Sequence, residues 1–257
     1  MLATPFLFIA NFKAQKTPGK THEFMQHSAR LNDLMQEMHA NLVICPSAES
    51  LEIVHNALRQ YKNNLLLGAQ GCAPALTGAF TGQIPILSLV ELGCSYCIIG
   101  HSEEREYAGE TDTSVAIKAA LLLDQGIIPI ICVGETHNDD MSKLKDEIAT
   151  QLAPLFENSA QKTGRCYIAY EPRWAIGTGK TPSIAHIQEV FAYIKELTNR
   201  HISSMIVNLL YGGSVSESSI DNLRLLKKNN PELSGFLIGN ASLEPQNLTK
   251  IVKLWYV

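Results

Sequence analysis

Glu171 stands at the end of a short apolar run and directly before Pro172, which puts a carboxylate where a strand gives way to a loop. A carboxylate that a closing pocket strips of water becomes a better base for the weakly acidic C–H beside a carbonyl. Removing that proton leaves an enediolate, whose negative oxygen needs donors already in place. Two donors sit at the ends of other apolar runs: the imidazole of His101 in His101-Ser102-Glu103, and the ammonium of Lys13 in Asn11-Phe12-Lys13. A short helix starting at Ser102 sets its positive end against His101, which favours a neutral imidazole able to donate and exchange a proton. Taken singly, a rim Glu or Lys is usually a solvated charge, and a lone His a structural residue. The chemistry rests on their joint placement.

Small residues supply the other half of a site. Tyr211-Gly212-Gly213-Ser214 and Gly239-Asn240 each follow an apolar run and precede a helical one, where free N–H groups favour a phosphate. Gly177-Thr178-Gly179, close behind Glu171, has the composition of a lid that offers main-chain N–H groups to an anion. Lys180-Thr181 after Gly179 invites comparison with a nucleotide-binding P-loop. That pattern requires Gly where Trp174 stands, so nucleotide binding is excluded on this ground.

The elements that must position these residues follow from hydrophobic patterning. Eight β-branched or apolar runs occur in order: Phe6–Ala10, Leu42–Cys45, Leu65–Ala69, Tyr96–Gly100, Ile127–Val133, Tyr167–Tyr170, Met205–Leu210 and Gly235–Ile238. Helical segments alternate with them, among them Leu87–Leu92, Asp112–Gln125, Met141–Phe156, Ser183–Arg200 and Gln246–Leu254. Eight strand–helix units with no intervening linker predict an α/β chain folded as a single (β/α)₈ barrel, with residues 1–257 forming one domain. An open doubly wound sheet is the structural alternative. In a barrel the active site lies at the carboxyl ends of the strands, where all the residues above fall.

Composition narrows the classes further. Apolar residues make up 46% and charged residues 18% of the 257, enough to bury a large core. The formal net charge is −4, with no cluster of Lys or Arg interleaved with aromatics, so neither nucleic acid nor membrane is an expected partner. Apolar runs such as Ile127 to Val133 are far shorter than the ~20 residues of a membrane span. The start, Met1 to Ala10, lacks a basic segment followed by a cleavage-like one, so the expected compartment is cytoplasmic. Six cysteines lie mostly in apolar runs, as reduced core thiols do, and the lone pair Cys94 and Cys97 is assigned to packing. The glycosylation patterns at Asn240 and Asn247 lack a secretory context.

Several strings together resemble the triosephosphate isomerase family over essentially the whole chain. They are Gly68-Ala69-Gln70, Gly78-Ala79-Phe80-Thr81-Gly82, Ile99-Gly100-His101-Ser102-Glu103, Tyr170-Glu171-Pro172, Trp174 to Thr181, and Tyr211-Gly212-Gly213-Ser214-Val215. The resemblance implies interconversion of dihydroxyacetone phosphate and glyceraldehyde 3-phosphate without metal or organic cofactor. By it, Glu171 moves the proton between C1 and C2, and His101 polarises the carbonyl and shuttles protons between oxygens. Lys13 stabilises the enediolate, Asn11 positions the substrate, and Glu103 is a supporting carboxylate close to Lys13 and His101. The phosphate is held by N–H groups of Gly177, Ser214, Gly239 and Asn240. A homodimer is implied, with the loop holding Thr81 inserted beside the partner's active site.

Departures from the family pattern are equally specific. Phe12 and Ala14 replace the usual Trp and Met, Arg173 stands where Val or Leu is common, and Gly71 replaces Asn. Gln83 and Glu104 replace a Glu and an Arg that pair across the family's interface. Asn240 replaces a Gly; if the chain needs positive φ there, Asn tolerates it and leaves its amide free to add a donor to the phosphate, the favoured reading, and if the side chain instead crowds the site, the phosphate shifts outward and draws the substrate away from Glu171. Arg173, Gly71 and Asn240 keep open a related isomerase acting on a four-carbon ketose phosphate. A non-catalytic phosphate-binding barrel predicts loss of Glu171, His101 or Lys13, and all three are present.

Overall fold

The computed structural model describes residues 5–59, 64–136, 140–159, 162–175 and 181–257. Eight parallel strands close into a barrel in chain order. They are β1 (Phe6–Asn11), β2 (Ala40–Cys45), β3 (Leu65–Ala69), β4 (Tyr96–Ile99), β5 (Ile128–Val133), β6 (Gly164–Tyr170), β7 (Met205–Tyr211) and β8 (Leu233–Ile238). Pairing of β1 with β8 completes the ring, so the open-sheet alternative is set aside.

Helices cover the outside: α1 (Pro18–Met25), α2 (Ser28–Glu37), α3 (Leu51–Leu58), α4 (Ile86–Glu91), α5 (Ser102–Tyr107), α6 (Asp112–Asp124), α7 (Met141–Ser159), α8 (Ile184–His201), α9 (Ile220–Asn229) and α10 (Pro245–Tyr256). Their starts carry readable caps. Thr17, with Pro18 behind it, accepts the Lys20 N–H, and Thr111 with Ser114 forms a reciprocal capping box.

Side chains alternate across each strand, and this alternation divides the core into two layers. Leu7, Ile9, Val43, Tyr96, Ile98, Ile130, Cys132, Tyr167, Ala169, Leu210 and Leu237 fill the barrel interior. Phe8, Ala10, Leu42, Ile44, Ile131, Ile168, Phe236 and Ile238 face the helices. The consequence for function is geometric. Continued by two past the inner layer, the same alternation points Asn11, Gly134, Glu171, Gly212 and Gly239 into the mouth of the barrel.

Candidate active site

Three of these inward positions are glycines: Glu171 occupies the space left by Gly134 and Gly212, and Lys13 lies against Gly239. A Cβ on Gly212 would lie 2.9 Å from Glu171 Cγ, and one on Gly134 would lie 1.8 Å from the Glu171 carbonyl oxygen. The Glu171 N–H donates to Val133 O at 2.8 Å, so the main chain of this residue is fixed to β5. Gly134 is itself held from α7, where the Gln151 amide both accepts from its N–H and donates to its carbonyl at 2.9 Å. The Glu171 side chain ends only 3% exposed.

His101 does not follow the alternation of β4. Gly100 before it has φ +71°, a left-handed conformation natural for glycine, and the chain turns so that the imidazole enters the mouth. Glu110 fixes this turn, its Oε2 accepting the Gly100 N–H at 2.7 Å while its Oε1 pairs with Lys118 Nζ at 2.5 Å. His101 caps α5, and its Nδ1 accepts the Glu103 N–H at 3.2 Å. Nδ1 is therefore unprotonated, and the ring proton of a neutral imidazole sits on Nε2. Nε2 faces Glu171 Oε1 at 3.2 Å, and Glu171 Oε2 accepts the Ser102 N–H at 3.3 Å. The carboxylate thus rests against an imidazole and the first turn of α5, where the main chain carries partial positive charge.

Lys13 reaches the same space from β1 through a backbone with φ +50°, unusual for a residue with a side chain. Two contacts hold it there. Its N–H donates to Asn11 Oδ1 at 3.0 Å, and its carbonyl accepts the Gln70 amide at 3.0 Å. Gln70 also donates to Cys45 O at 2.9 Å, tying the turn to β2. Lys13 Nζ pairs with Glu103 Oε1 at 2.6 Å; the other Glu103 oxygen lies 3.8 Å from His101 Nδ1. Phe12, next to Lys13, is fully buried edge-on against Phe24, so the smaller ring is packed rather than loose.

A cleft of about 450 Å³ joins these groups to the ends of β7 and β8. Asn11, Lys13, His101 and Glu171 line one side, and Gly212, Gly213, Ser214, Gly239 and Asn240 the other. Eight of the nine site residues named from the sequence therefore meet at the barrel mouth, Glu103 through its ion pair with Lys13. The ninth, Gly177, lies outside the described residues. Ser214 is steadied by Ser219, whose hydroxyl donates to its carbonyl at 3.0 Å.

At Asn240 the positive-φ condition is not met, because the residue opens a 3-10 turn (Asn240–Ser242) rather than occupying a left-handed position. Its amide oxygen accepts from Gln15 Nε2 at 2.7 Å, so the side chain is engaged with the β1 loop. Patterning also gave no hint of Gln15, of Gln70 as the anchor of Lys13, or of Gln151 behind Gly134. Amides act through hydrogen bonds to residues distant in sequence, and no periodicity marks them.

Glu135 was missed as well. It is fully buried, and its Oε1 accepts from Tyr170 OH at 2.9 Å and from Trp174 Nε1 at 2.6 Å, with His186 Nε2 3.7 Å away. Burial first, then the Glu135 charge, pushes the Tyr170 hydroxyl far above the usual tyrosine range, so it remains a donor. Beside Glu171, burial and then the carboxylate's charge hold the Cys132 thiol well above its usual range, which makes it inert packing. Among the described residues no group of His, Cys, Asp and Glu has the arrangement of a metal site.

A base, a neutral imidazole and a cation around one cleft, opposite a wall of small residues, suit proton transfer beside a carbonyl on a phosphorylated substrate. Comparison with known proteins agrees. The sequence profile described as triosephosphate isomerase matches residues 6–255. A triosephosphate isomerase of Endomicrobium trichonymphae is 37% identical over 254 residues, covering 96% of this chain and 97% of that one. Those of Wolbachia pipientis wMel and Aquifex aeolicus (strain VF5) are each 36% identical over 249 residues. They too cover 96% of this chain, and 93% and 98% of their own lengths. The chain belongs to the triosephosphate isomerase family.

Proposed function

We propose that Glu171, His101 and Lys13 divide the work of a triosephosphate isomerase among them in the following way. The enzyme interconverts dihydroxyacetone phosphate and glyceraldehyde 3-phosphate, an aldose–ketose isomerisation of glycolysis. Glu171 removes the proton from the carbon beside the carbonyl and returns it to the neighbouring carbon. The His101 Nε2–H, which faces Glu171 in the free enzyme, donates to the substrate oxygen once substrate lies between them, then moves protons between the two oxygens. Lys13 carries the positive charge that balances the enediolate, and Glu103 and Asn11 hold Lys13. The N–H groups of Ser214, Gly239 and Asn240, with Gly177 from the lid, bind the phosphate.

The observation that carries this assignment is the His101 hydrogen-bond pattern. With Nδ1 accepting from Glu103 N–H, the ring has one proton to give, and it points at the base and the cleft. A donor preorganised toward a developing oxyanion costs no rearrangement at the moment of reaction. Initial rates with glyceraldehyde 3-phosphate and with erythrulose phosphates test the substrate. Triose phosphate should be preferred by at least about 100-fold in kcat/KM, about 2.7 kcal/mol of transition-state discrimination. A preference for the four-carbon ketose would overturn it.

Residues 1–257 are taken as one catalytic unit that works as a homodimer. The loop of residues 77–83 is exposed, with Phe80 39% accessible at its tip. A groove of about 500 Å³ lined by Ser47, Gln70, Gln83, Glu104 and Glu110 runs beside the Lys13 anchor. The loop around Thr81 of a second copy is taken to occupy it. Gln83 and Glu104 in that groove leave no ion pair for salt to screen, and an exposed pair contributes only ~0–1 kcal/mol in any case. Analytical ultracentrifugation at micromolar concentration should give a dimer in low and moderate salt; a monomer in either refutes this. Six free buried cysteines support a reducing compartment such as the cytoplasm.

A further inference from the structure

Gln15 follows β1 and Asn240 follows β8, the two strands whose pairing closes the barrel, and their side chains join 225 residues apart at 2.7 Å. Both are exposed, so the bond adds little to global stability. Its value is local. Asn240 opens the 3-10 turn behind Gly239, and the inner side of that turn is held by Ser242, whose hydroxyl donates to Ile238 O at 3.0 Å and to Gly239 O at 2.7 Å. The outer side is met by Gln15, which is itself fixed by its N–H donating to Phe12 O at 3.2 Å. The Lys13 side chain passes close by, since a Cβ added to Gly239 would fall 3.3 Å from Lys13 Cε. The turn that carries Lys13 and the turn that carries Gly239 and Asn240 are therefore joined by this hydrogen bond and lie close together at Gly239.

We propose that Gln15 is a positioning residue for the substrate phosphate, acting through the Asn240 side chain. By pinning that side chain it holds the main-chain N–H groups of Gly239 and Asn240 toward the anion and sets their distance from Lys13. The inference rests on the assignment of those N–H groups to the phosphate. Gln15 touches no reacting atom, so its loss acts on binding of the phosphate end and spares the proton transfer.

The test is a double-mutant cycle of Gln15→Ala and Asn240→Ala, with the exchanged pair Gln15→Asn/Asn240→Gln. KM and kcat are measured with glyceraldehyde 3-phosphate, and inorganic phosphate serves as competitive inhibitor. Each single change should raise KM and the phosphate inhibition constant by about 3–10-fold, with kcat within about twofold, the range expected for one neutral hydrogen bond. The double variant should be no worse than the weaker single, and the exchanged pair should recover to within about twofold of the natural protein if the bond is the cause. Effects that multiply in the double variant, singles that change nothing, or a fall in kcat alone overturn the role of Gln15. Failure of inorganic phosphate to compete in the natural protein would overturn the phosphate site itself, an outcome separable from the cycle.

Discussion

Gly212→Ala places one methyl group against the Glu171 carboxylate, the proposed base, and its effect follows from distances. The added Cβ falls 2.9 Å from Glu171 Cγ, 3.4 Å from Tyr170 O and 3.6 Å from Glu171 Oε1. Non-bonded carbons settle at about 3.5–4.0 Å, so Cγ must retreat by roughly 0.6–1 Å. The Glu171 main chain cannot follow, because its N–H is bonded to Val133 O and Gly134 lies against its carbonyl. Gly212 has no positive φ, so alanine adds no backbone strain and the displacement falls on the carboxylate. A misplacement near ~1 Å costs on the order of 10²-fold, which puts the expected loss of kcat between about 10- and 100-fold. That range is about 1.4–2.7 kcal/mol of barrier. Initial rates with glyceraldehyde 3-phosphate give kcat and KM, and circular dichroism confirms the fold. A kcat within about threefold of the natural enzyme would show that this glycine does not set the position of the base.

Two further expectations concern stability. Burial raises the thiols of Cys94 and Cys166 from 9.0 to about 12, and raises the hydroxyls of Tyr96, Tyr170 and Tyr211 as well. The folded protein keeps these protons where the unfolded chain releases them, so stability is full below about pH 9 and falls as pH rises toward 12. The urea midpoint should be lower at pH 10 than at pH 8; an equal or higher midpoint refutes this. Lys118→Met leaves the buried Glu110 carboxylate without its cation and should cost about 3–5 kcal/mol, lowering the melting temperature by roughly 6–20 °C. A change under about 2 °C would mean that the pair is not structurally needed.

The strands were legible because burial on both faces of a parallel sheet leaves continuous apolar runs. Leu65–Ala69 matches the structure residue for residue. The starts of β2, β6 and β8 were read late, at Leu42, Tyr167 and Gly235 instead of Ala40, Gly164 and Leu233. Asn41, Arg165 and Ser234 interrupt the apolar signal there, yet the main chain still pairs at the barrel's lower rim. The helices α1, α2, α3 and α9 went without bounds; in α1 and α2, Gly19, Lys20, Asn32 and Asp33 dilute the apolar faces. At the site, Glu171, His101 and Lys13 were found by type and by position at strand ends. What patterning does not carry is the second layer: Gln70 on Lys13, Gln151 on Gly134, Glu110 on Gly100 and Gln15 on Asn240. Each is a polar side chain whose partner is set by tertiary folding alone. The conformation of Asn240 was left open for the same reason, being decided by the 3-10 turn and by Gln15 rather than by a glycine-like φ.

Whether the Glu171 carboxylate is the base is decided by the turnover of Glu171→Asp with glyceraldehyde 3-phosphate. The substitution keeps the charge and draws the carboxylate back by one methylene, about 1 Å or more, while the proposed phosphate-binding residues Ser214, Gly239 and Asn240, on the far side of the cleft, are unchanged. With Glu171 as the base, kcat should fall by on the order of 10²-fold or more with KM changed by less than about threefold. A kcat within about threefold of the natural enzyme would contradict it and assign the proton transfer to another residue.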